Sequence, residues 1–317
     1  MLRLIATRLA AFAATLLAAS FILFVTISVL PGSAARSALG IDATPQAISR
    51  FEAQRGLDRP LLVQYAEWLG KTLRGDFGTS FQNSVAVGPD LLARIPVTLE
   101  LAILAFLVAN LIALPFGIAS AARHQKAPDK IVTFTASVFG AVPNFWLATL
   151  LVMLFTLKLR WLPPGGYTPF GVDPVMNLKQ MLMPALSLGL VSSALLIRIM
   201  RASMIEVLSS DYIRTASAKG APERVIIARH AVRNALIPYL NVAAVEFGFL
   251  FGSVVVIEDI FRLPGVGSLV LVGIINRDYP VLLAGALTIT LFVLVVNLIV
   301  DITVGVLDPR RVRGSRA

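Results

Sequence analysis

Residues 211–238 read DYIRTASAKGAPERVIIARHAVRNALIP, a basic stretch enclosed by apolar runs near residues 181–200 and 237–257. Gly220 and Pro222 divide it into two segments, each of which begins with an acidic residue. Acidic residues are typical of helix starts, and a glycine shortly before a proline is typical of a tight turn between helices. The stretch therefore predicts a helical hairpin between two membrane-spanning helices.

The composition agrees with a membrane protein. Of the 317 residues, 57% are hydrophobic and 15% are charged, and the mean hydropathy is +0.81. Soluble domains carry roughly a quarter charged residues. A hydrocarbon core of about 30 Å needs roughly 20 apolar residues, and unbroken runs of that length exclude a transmembrane barrel. We therefore expect an all-α, polytopic fold with six transmembrane helices, near residues 9–30, 97–122, 131–157, 181–200, 237–257 and 281–305.

The charge pattern predicts the orientation. The net charge is +10, but the basic residues collect at the ends of the apolar runs, where topology explains them, so we expect no nucleic-acid partner. The loops near 123–130 and 201–233 and the end of the chain are rich in Arg and Lys, which predicts that both termini are cytoplasmic. The first run is longer than a signal-peptide core of about 7–15 residues, which indicates an uncleaved anchor.

The segment 31–96 is the long outer connection of this topology, and it contains two predicted amphipathic helices. Thr44-Pro45 opens one by cap and first-turn chemistry, and Asp58-Arg59-Pro60 opens the other. Their apolar faces favour packing against the outer ends of the spans or against the lipid interface. Contact with an external partner is the alternative.

Within the hairpin, local chemistry assigns a role to particular residues. Asp211 is predicted to cap the first helix, Gly220 to end it in the left-handed conformation, and Pro222 to occupy the first position of the second helix. The small residues at 215–218 would let another protein approach the backbone closely. An ordinary basic loop, set by topology alone, is the alternative.

The hairpin resembles the EAA loop of ABC-importer permeases, with Gly220 at the turn and Leu236-Ile237-Pro238 at the exit. It resembles most closely the variant in dipeptide and oligopeptide permeases, because Arg214-Thr215 stands where the general motif has Glu-Ala. Further similar segments cover almost the whole chain: LPG at 30–32, GLDRP at 56–60, LRGDFG at 73–78, IPVTLE at 95–100, VPNFW at 142–146, WLPPGGY at 161–167, LPGVG at 263–267, NRDYP at 276–280 and LDPR at 307–310.

This resemblance implies the type I ABC importer permease fold and the first of two permease subunits, in a bacterial inner membrane. Residues 1–93 would form an N-terminal transmembrane helix and a long periplasmic segment, 94–306 the transmembrane core with its coupling hairpin at 211–238, and 307–317 a basic cytoplasmic tail. The implied partners are two ATP-binding subunits, a second homologous permease, an extracytoplasmic solute-binding protein and membrane lipid. The implied ATPase-coupling residues are Asp211, Tyr212, Arg214, Thr215, Ala216, Ala218, Lys219 and Gly220.

The resemblance implies di- or oligopeptides as cargo, and nickel chelates, glutathione and oligosaccharides remain alternatives. A stand-alone secondary transporter is the alternative from another class. A transporter of that class would normally carry an inverted repeat and more than six transmembrane helices.

No residues are assigned to catalysis, a cofactor or a metal. Gly70-Lys71-Thr72 imitates the end of a phosphate-binding loop, but Tyr65 stands where the first glycine would be. Neither His124 nor His230 lies in a zinc-protease signature, and the chain has no cysteine. Nucleotide hydrolysis is therefore expected in a partner.

Polar residues inside apolar runs are candidates for lining a transport pathway. Glu246 is the first of these, since it could attract a cationic group such as a peptide amino terminus. Asn144 and Asn241 are weaker candidates. For each of the three, a hydrogen bond to a neighbouring helix is the alternative.

Overall fold

The computed structural model describes residues 2–29, 33–40 and 42–307. The LPG motif at 30–32 and all of the predicted basic tail except Leu307 lie outside the described residues. The helices are α1 (Leu2–Val29), α2 (Ala34–Leu39), α3 (Pro45–Arg55), α4 (Leu61–Thr72), α5 (Val87–Ala122), α6 (Ala127–Ala141), α7 (Asn144–Leu151), α8 (Pro174–Leu208), α9 (Asp211–Ala218), α10 (Glu223–Val225), α11 (Val232–Ile260), α12 (Val266–Asn276) and α13 (Tyr279–Leu307). The π-helical turns Val152–Lys158 follow α7, and those of Ile226–Ala231 join α10 to α11.

Five helices of the described chain are long and apolar enough to cross a membrane: Ala6–Val29, Val87–Ala122, Pro174–Leu208, Glu223–Ile260 and Tyr279–Val300. They account for five of the six predicted spans. The third predicted span, 131–157, is not one straight helix.

That third run is divided into α6 and a helix formed by α7 and its π turns, and the two are bent by 98°. The break lies at Val142 and Pro143, which both have extended backbone, with ψ of 126° and 134°. Proline has no N–H to continue the helix, and it disfavours helical backbone in the residue before it. The pair makes a sixth span only if it is counted as one broken crossing.

The chain divides into two compact units, and the first contains the described residues of 1–99 and 262–317. In this unit α13 packs against both α1 and α12. The contact between α12 and α13 is close, because a Cβ atom on Gly273 would lie 2.9 Å from the backbone nitrogen of Leu282.

The predicted outer connection is anchored within the same unit. Tyr65 and Trp68 of α4 place their rings 5.6 and 5.4 Å from that of Phe24 on α1. Further along, the buried carboxylate of Asp278 accepts hydrogen bonds from the Ser80 hydroxyl and from the backbone N–H of Phe81. The predicted cap of α3 is confirmed, since Thr44 Oγ1 accepts the N–H of Ala47 at 3.2 Å.

The second unit contains residues 100–261 and is built around α8, which packs against α6, α7 and α11. Small residues also let α5 approach α8 closely. A Cβ atom on Gly117 of α5 would lie 2.7 Å from Cβ of Met200, and one on Gly189 of α8 would lie 2.7 Å from the carbonyl oxygen of Ala105. Gly117 and Gly189 are therefore explained by close helix packing.

The coupling hairpin and the candidate pathway

The first arm of the hairpin is α9, and its start differs from the prediction. Ser210 is the capping residue, with extended backbone, and Asp211 is the first helical residue. The Ser210 hydroxyl does not cap the helix, because it donates to the carbonyl of Val207 at 2.6 Å. Asp211 instead faces Arg214, with 3.4 Å between the carboxylate and the guanidinium. The acidic residue still suits the positive end of the helix dipole.

The turn after α9 has the predicted glycine geometry. Gly220 has φ of +81°, in the left-handed region. Its N–H donates to the Ser217 carbonyl at 2.9 Å, and the N–H of Ala221 donates to the Ala216 carbonyl at 3.2 Å. A Cβ atom at this position would meet nothing within 4 Å. The requirement for glycine is therefore a requirement of the backbone and not of space.

The second arm is continuous with a membrane span. Pro222 is the capping residue, with φ of −66° and ψ of 145°, and not the first helical residue as predicted. From Glu223 the chain stays helical to Ile260, through the π turns and through Pro238. Pro238, where the sequence predicts the exit from the hairpin, therefore lies inside one continuous helix.

A small set of contacts holds the two arms of the hairpin together. Ile213 of α9 and Ile226 of the second arm are buried. The side-chain amide of Asn234 donates to the Tyr212 hydroxyl at 3.0 Å and so ties the two arms together. Of the eight predicted coupling residues, seven are exposed and Ala216 is partly buried. They form one accessible surface on α9 and its turn.

The three predicted pathway residues are not brought together. Asn241 and Glu246 are both partly buried on α11. At 3.6 residues per turn they point roughly 140° apart around the helix axis. Asn144 begins α7, immediately after the break, and its side-chain oxygen accepts the N–H of Phe145 at 2.9 Å.

The structure also shows polar contacts that were not predicted. Asp129 of α6 binds Arg201 of α8 through two hydrogen bonds, of 2.6 and 2.9 Å. The Tyr167 hydroxyl donates to Glu100 at 2.9 Å, and burial, followed by this carboxylate, raises the pKa of Tyr167 to about 12. The only sequence signal for Asp129 was an acidic residue within the basic loop 123–130.

These features define a polytopic α-helical membrane protein with an ordered, exposed hairpin between two spans. Residues 113–313 match the family described as binding-protein-dependent transport system inner membrane component, and residues 1–102 match the N-terminal family of the same systems. The chain therefore belongs to the family of binding-protein-dependent transport system inner membrane components. It is a multi-pass permease subunit of an ABC importer and not itself the catalytic subunit.

Relatives of known name are similar over their full length. A Brucella abortus protein, provisionally named a peptide transport system permease protein, is 37% identical over 98% of this chain and 99% of its own. The glutathione transport system permease protein of Salmonella choleraesuis is 36% identical over 98% of both chains. A crystal structure of an amino acid ABC transporter with histidines covers 68% of this chain and 93% of its own, with 15% identity and a TM-score of 0.51. The last likeness supports the fold alone.

Proposed function

We propose that this chain is the first of two homologous permease subunits that import di- or oligopeptides. Two ATP-binding subunits bind on the cytoplasmic side, and an extracytoplasmic binding protein delivers the solute. The exposed surface of α9 and its turn is the observation that carries this proposal. This surface is ordered and basic, and the sequence contains no nucleotide-binding motif.

The peptide cargo is supported by the relatives named above. Glutathione is a tripeptide, so the two transport names describe related chemistry. The sequence gives a second reason, because Arg214-Thr215 replaces the Glu-Ala of the general motif in the peptide branch of the family.

The proposed mechanism follows from the way in which the hairpin continues into the spans. ATP binding closes the two ATP-binding subunits and displaces α9 with its turn. Because α8 ends immediately before α9 and the second arm is continuous with α11, both spans move with the hairpin. The pathway then alternates between inward-facing and outward-facing states.

The orientation and the division of the chain belong to the same proposal. Both termini are cytoplasmic, which places the hairpin on the side of the ATP-binding subunits. Residues 1–93 supply an anchor and a periplasmic segment, 94–306 the transport core, and 307–317 a basic tail. Glu246 contributes to the pathway, with Asn144 and Asn241 as further lining residues.

Substitution at the turn tests the docking surface. Gly220→Val forces a β-branched residue into the left-handed region, at a cost of roughly 1–2 kcal/mol. We expect the amount of ATP-binding subunit that copurifies with the membrane subunits to fall by about tenfold, which corresponds to about 1.4 kcal/mol. Gly220→Asn is the matched control, because asparagine tolerates this conformation. Unchanged copurification and unchanged solute-stimulated ATP hydrolysis in Gly220→Val would show that α9 is not the docking site.

A further inference from the structure

One carboxylate lies at the centre of a polar cluster near the hairpin end of the second unit. The side chain of Asp129 is 4% exposed. It accepts hydrogen bonds from Ser120 Oγ at 2.5 Å, from the backbone N–H of Gln125 at 2.8 Å, and from Nε and Nη2 of Arg201 at 2.6 and 2.9 Å. His124 Nδ1 lies 3.3 Å away. We call Ser120, His124, Gln125, Asp129 and Arg201 the Asp129 cluster.

The Asp129 cluster joins three parts of the chain. Ser120 belongs to α5, Gln125 to the turn between α5 and α6, and Arg201 to α8. Gln125 has φ of +64°, an unfavourable conformation for a residue with a side chain, and its N–H is held by the carboxylate. Two parallel hydrogen bonds from one guanidinium fix direction as well as distance. The start of α6 is therefore held on α8 in one orientation.

The cluster is close to the hairpin along α8. Arg201 lies about two turns, or roughly 10 Å, before α8 ends at Leu208. The same end of α8 is close-packed, since Met200 and Met204 share a buried core with Ala136 of α6 and with Ala231 and Ala235 of the second arm. A displacement of the hairpin must therefore pass through this core.

The other end of α6 is where the chain changes direction, by 98°. It ends at Ala141, and the extended residues Val142 and Pro143 separate it from α7. Asn144, a proposed pathway residue, is the first residue after this break. α6 thus has an ion pair near one end and a sharp change of backbone direction at the other.

We propose that Asp129 is a positioning residue for transport: its ion pair with Arg201 makes α6 follow α8 when the ATP-binding subunits move the hairpin. The motion of the hairpin thereby reaches the break beside Asn144 as well as α11. This inference rests on the proposed function, because it takes the hairpin as the point where movement enters the chain.

The absence of cysteine from the sequence allows a direct test. Spin labels are placed at Lys126→Cys, before α6, and at Ser209→Cys, after α8, in the complete transporter. Both residues are exposed. We expect the same narrow distance distribution without nucleotide and with ATP and vanadate, and a broadened distribution when Asp129→Asn is added. A parent distance that changes with nucleotide, or an Asp129→Asn distribution identical to the parent, would overturn the proposal.

Two further variants control this test. Asp90→Asn makes the same substitution in the more exposed ion pair with Arg94 and should leave the distribution unchanged. Arg201→Lys keeps the positive charge but loses the paired hydrogen bonds to Asp129, so it replaces Asp129→Asn if that variant does not assemble. A broadened distribution is expected for Arg201→Lys, and an unchanged one would count against the proposal.

A transport measurement separates a positioning role from a structural one. With dialanine as the probe, we expect Asp129→Asn to keep its ATP-binding subunits and its ATP hydrolysis but to take up about fivefold less dialanine per ATP. An unchanged ratio of dialanine uptake to ATP hydrolysis would overturn the role of Asp129 in coupling, even if the spin-label distance distribution were broadened. Failure of the docking proposal would be visible separately, as unchanged copurification in Gly220→Val.

Discussion

Gly165, in the loop before α8, lies very close to the backbone at the end of α11. A Cβ atom there would lie 2.2 Å from the backbone oxygen of Phe261, and the next residue, Gly166, donates its N–H to the same oxygen at 2.9 Å. Gly165→Ala should therefore displace the loop or break this bond and destabilise the fold by about 1–3 kcal/mol. The measurement is the melting temperature of the purified complex. Gly171→Ala is the control in the same loop, because its Cβ would meet nothing within 4 Å, and an equal effect of both would contradict the steric explanation.

Glu246 allows a prediction about how transport depends on the charge of the peptide. If its carboxylate attracts cationic groups in the pathway, Glu246→Gln should reduce uptake of Lys-Ala about tenfold more than uptake of Ala-Ala, a difference of about 1.4 kcal/mol. The affinity of the binding protein for both dipeptides is measured separately. Glu206→Gln makes the same change at an exposed position near the end of α8 and should not discriminate. Identical losses for the two dipeptides in Glu246→Gln would count against selectivity at this residue.

At the scale of elements, the break between α6 and α7 depends on one proline. Pro143→Ala restores an N–H and releases Val142 to become helical. Spin labels at Ile131→Cys and Leu157→Cys, both at exposed positions, should then show a population in which their separation lengthens from roughly 25 Å toward about 40 Å. Pro128→Ala changes a proline in the first turn of α6, where the N–H would be unpaired, and should not alter the distance. If Pro143→Ala leaves the distance unchanged, tertiary packing and not proline holds the bend.

The elements show what the sequence could and could not predict. Long apolar runs determine that a helix forms, so five of the six predicted spans are confirmed as single helices. The turn at Gly220 was predicted because glycine is the residue that most readily adopts its left-handed backbone. The bend at Pro143 was not predicted, since hydropathy measures apolar content and not direction. At Pro238 the helix continues without a comparable bend, because a proline in a sequence does not by itself say whether a helix ends or continues. The pair of Asp129 and Arg201 was also missed, because a contact across 72 positions leaves no local pattern.

At the scale of the whole molecule, the proposed orientation can be tested by labelling from one side of the membrane. Ser209→Cys lies next to the hairpin and Gly171→Cys in the loop at the opposite end of α8. Because the parent sequence has no cysteine, each variant carries one thiol. With a membrane-impermeant maleimide, Ser209→Cys should react only in inside-out vesicles and Gly171→Cys only in right-side-out ones. The reverse pattern would show that the topology is opposite to the proposed one. The docking surface would then not face the cytoplasm, where ATP is present.

The unbroken helix from Glu223 to Ile260 has a mechanical consequence. Its 38 residues give a rod about 57 Å long. A rod of that length that tilts by roughly 5° about its hairpin end carries its far end through about 5 Å. The helix would thus act as a lever: a small rotation applied at its hairpin end becomes a displacement of about 5 Å at its far end.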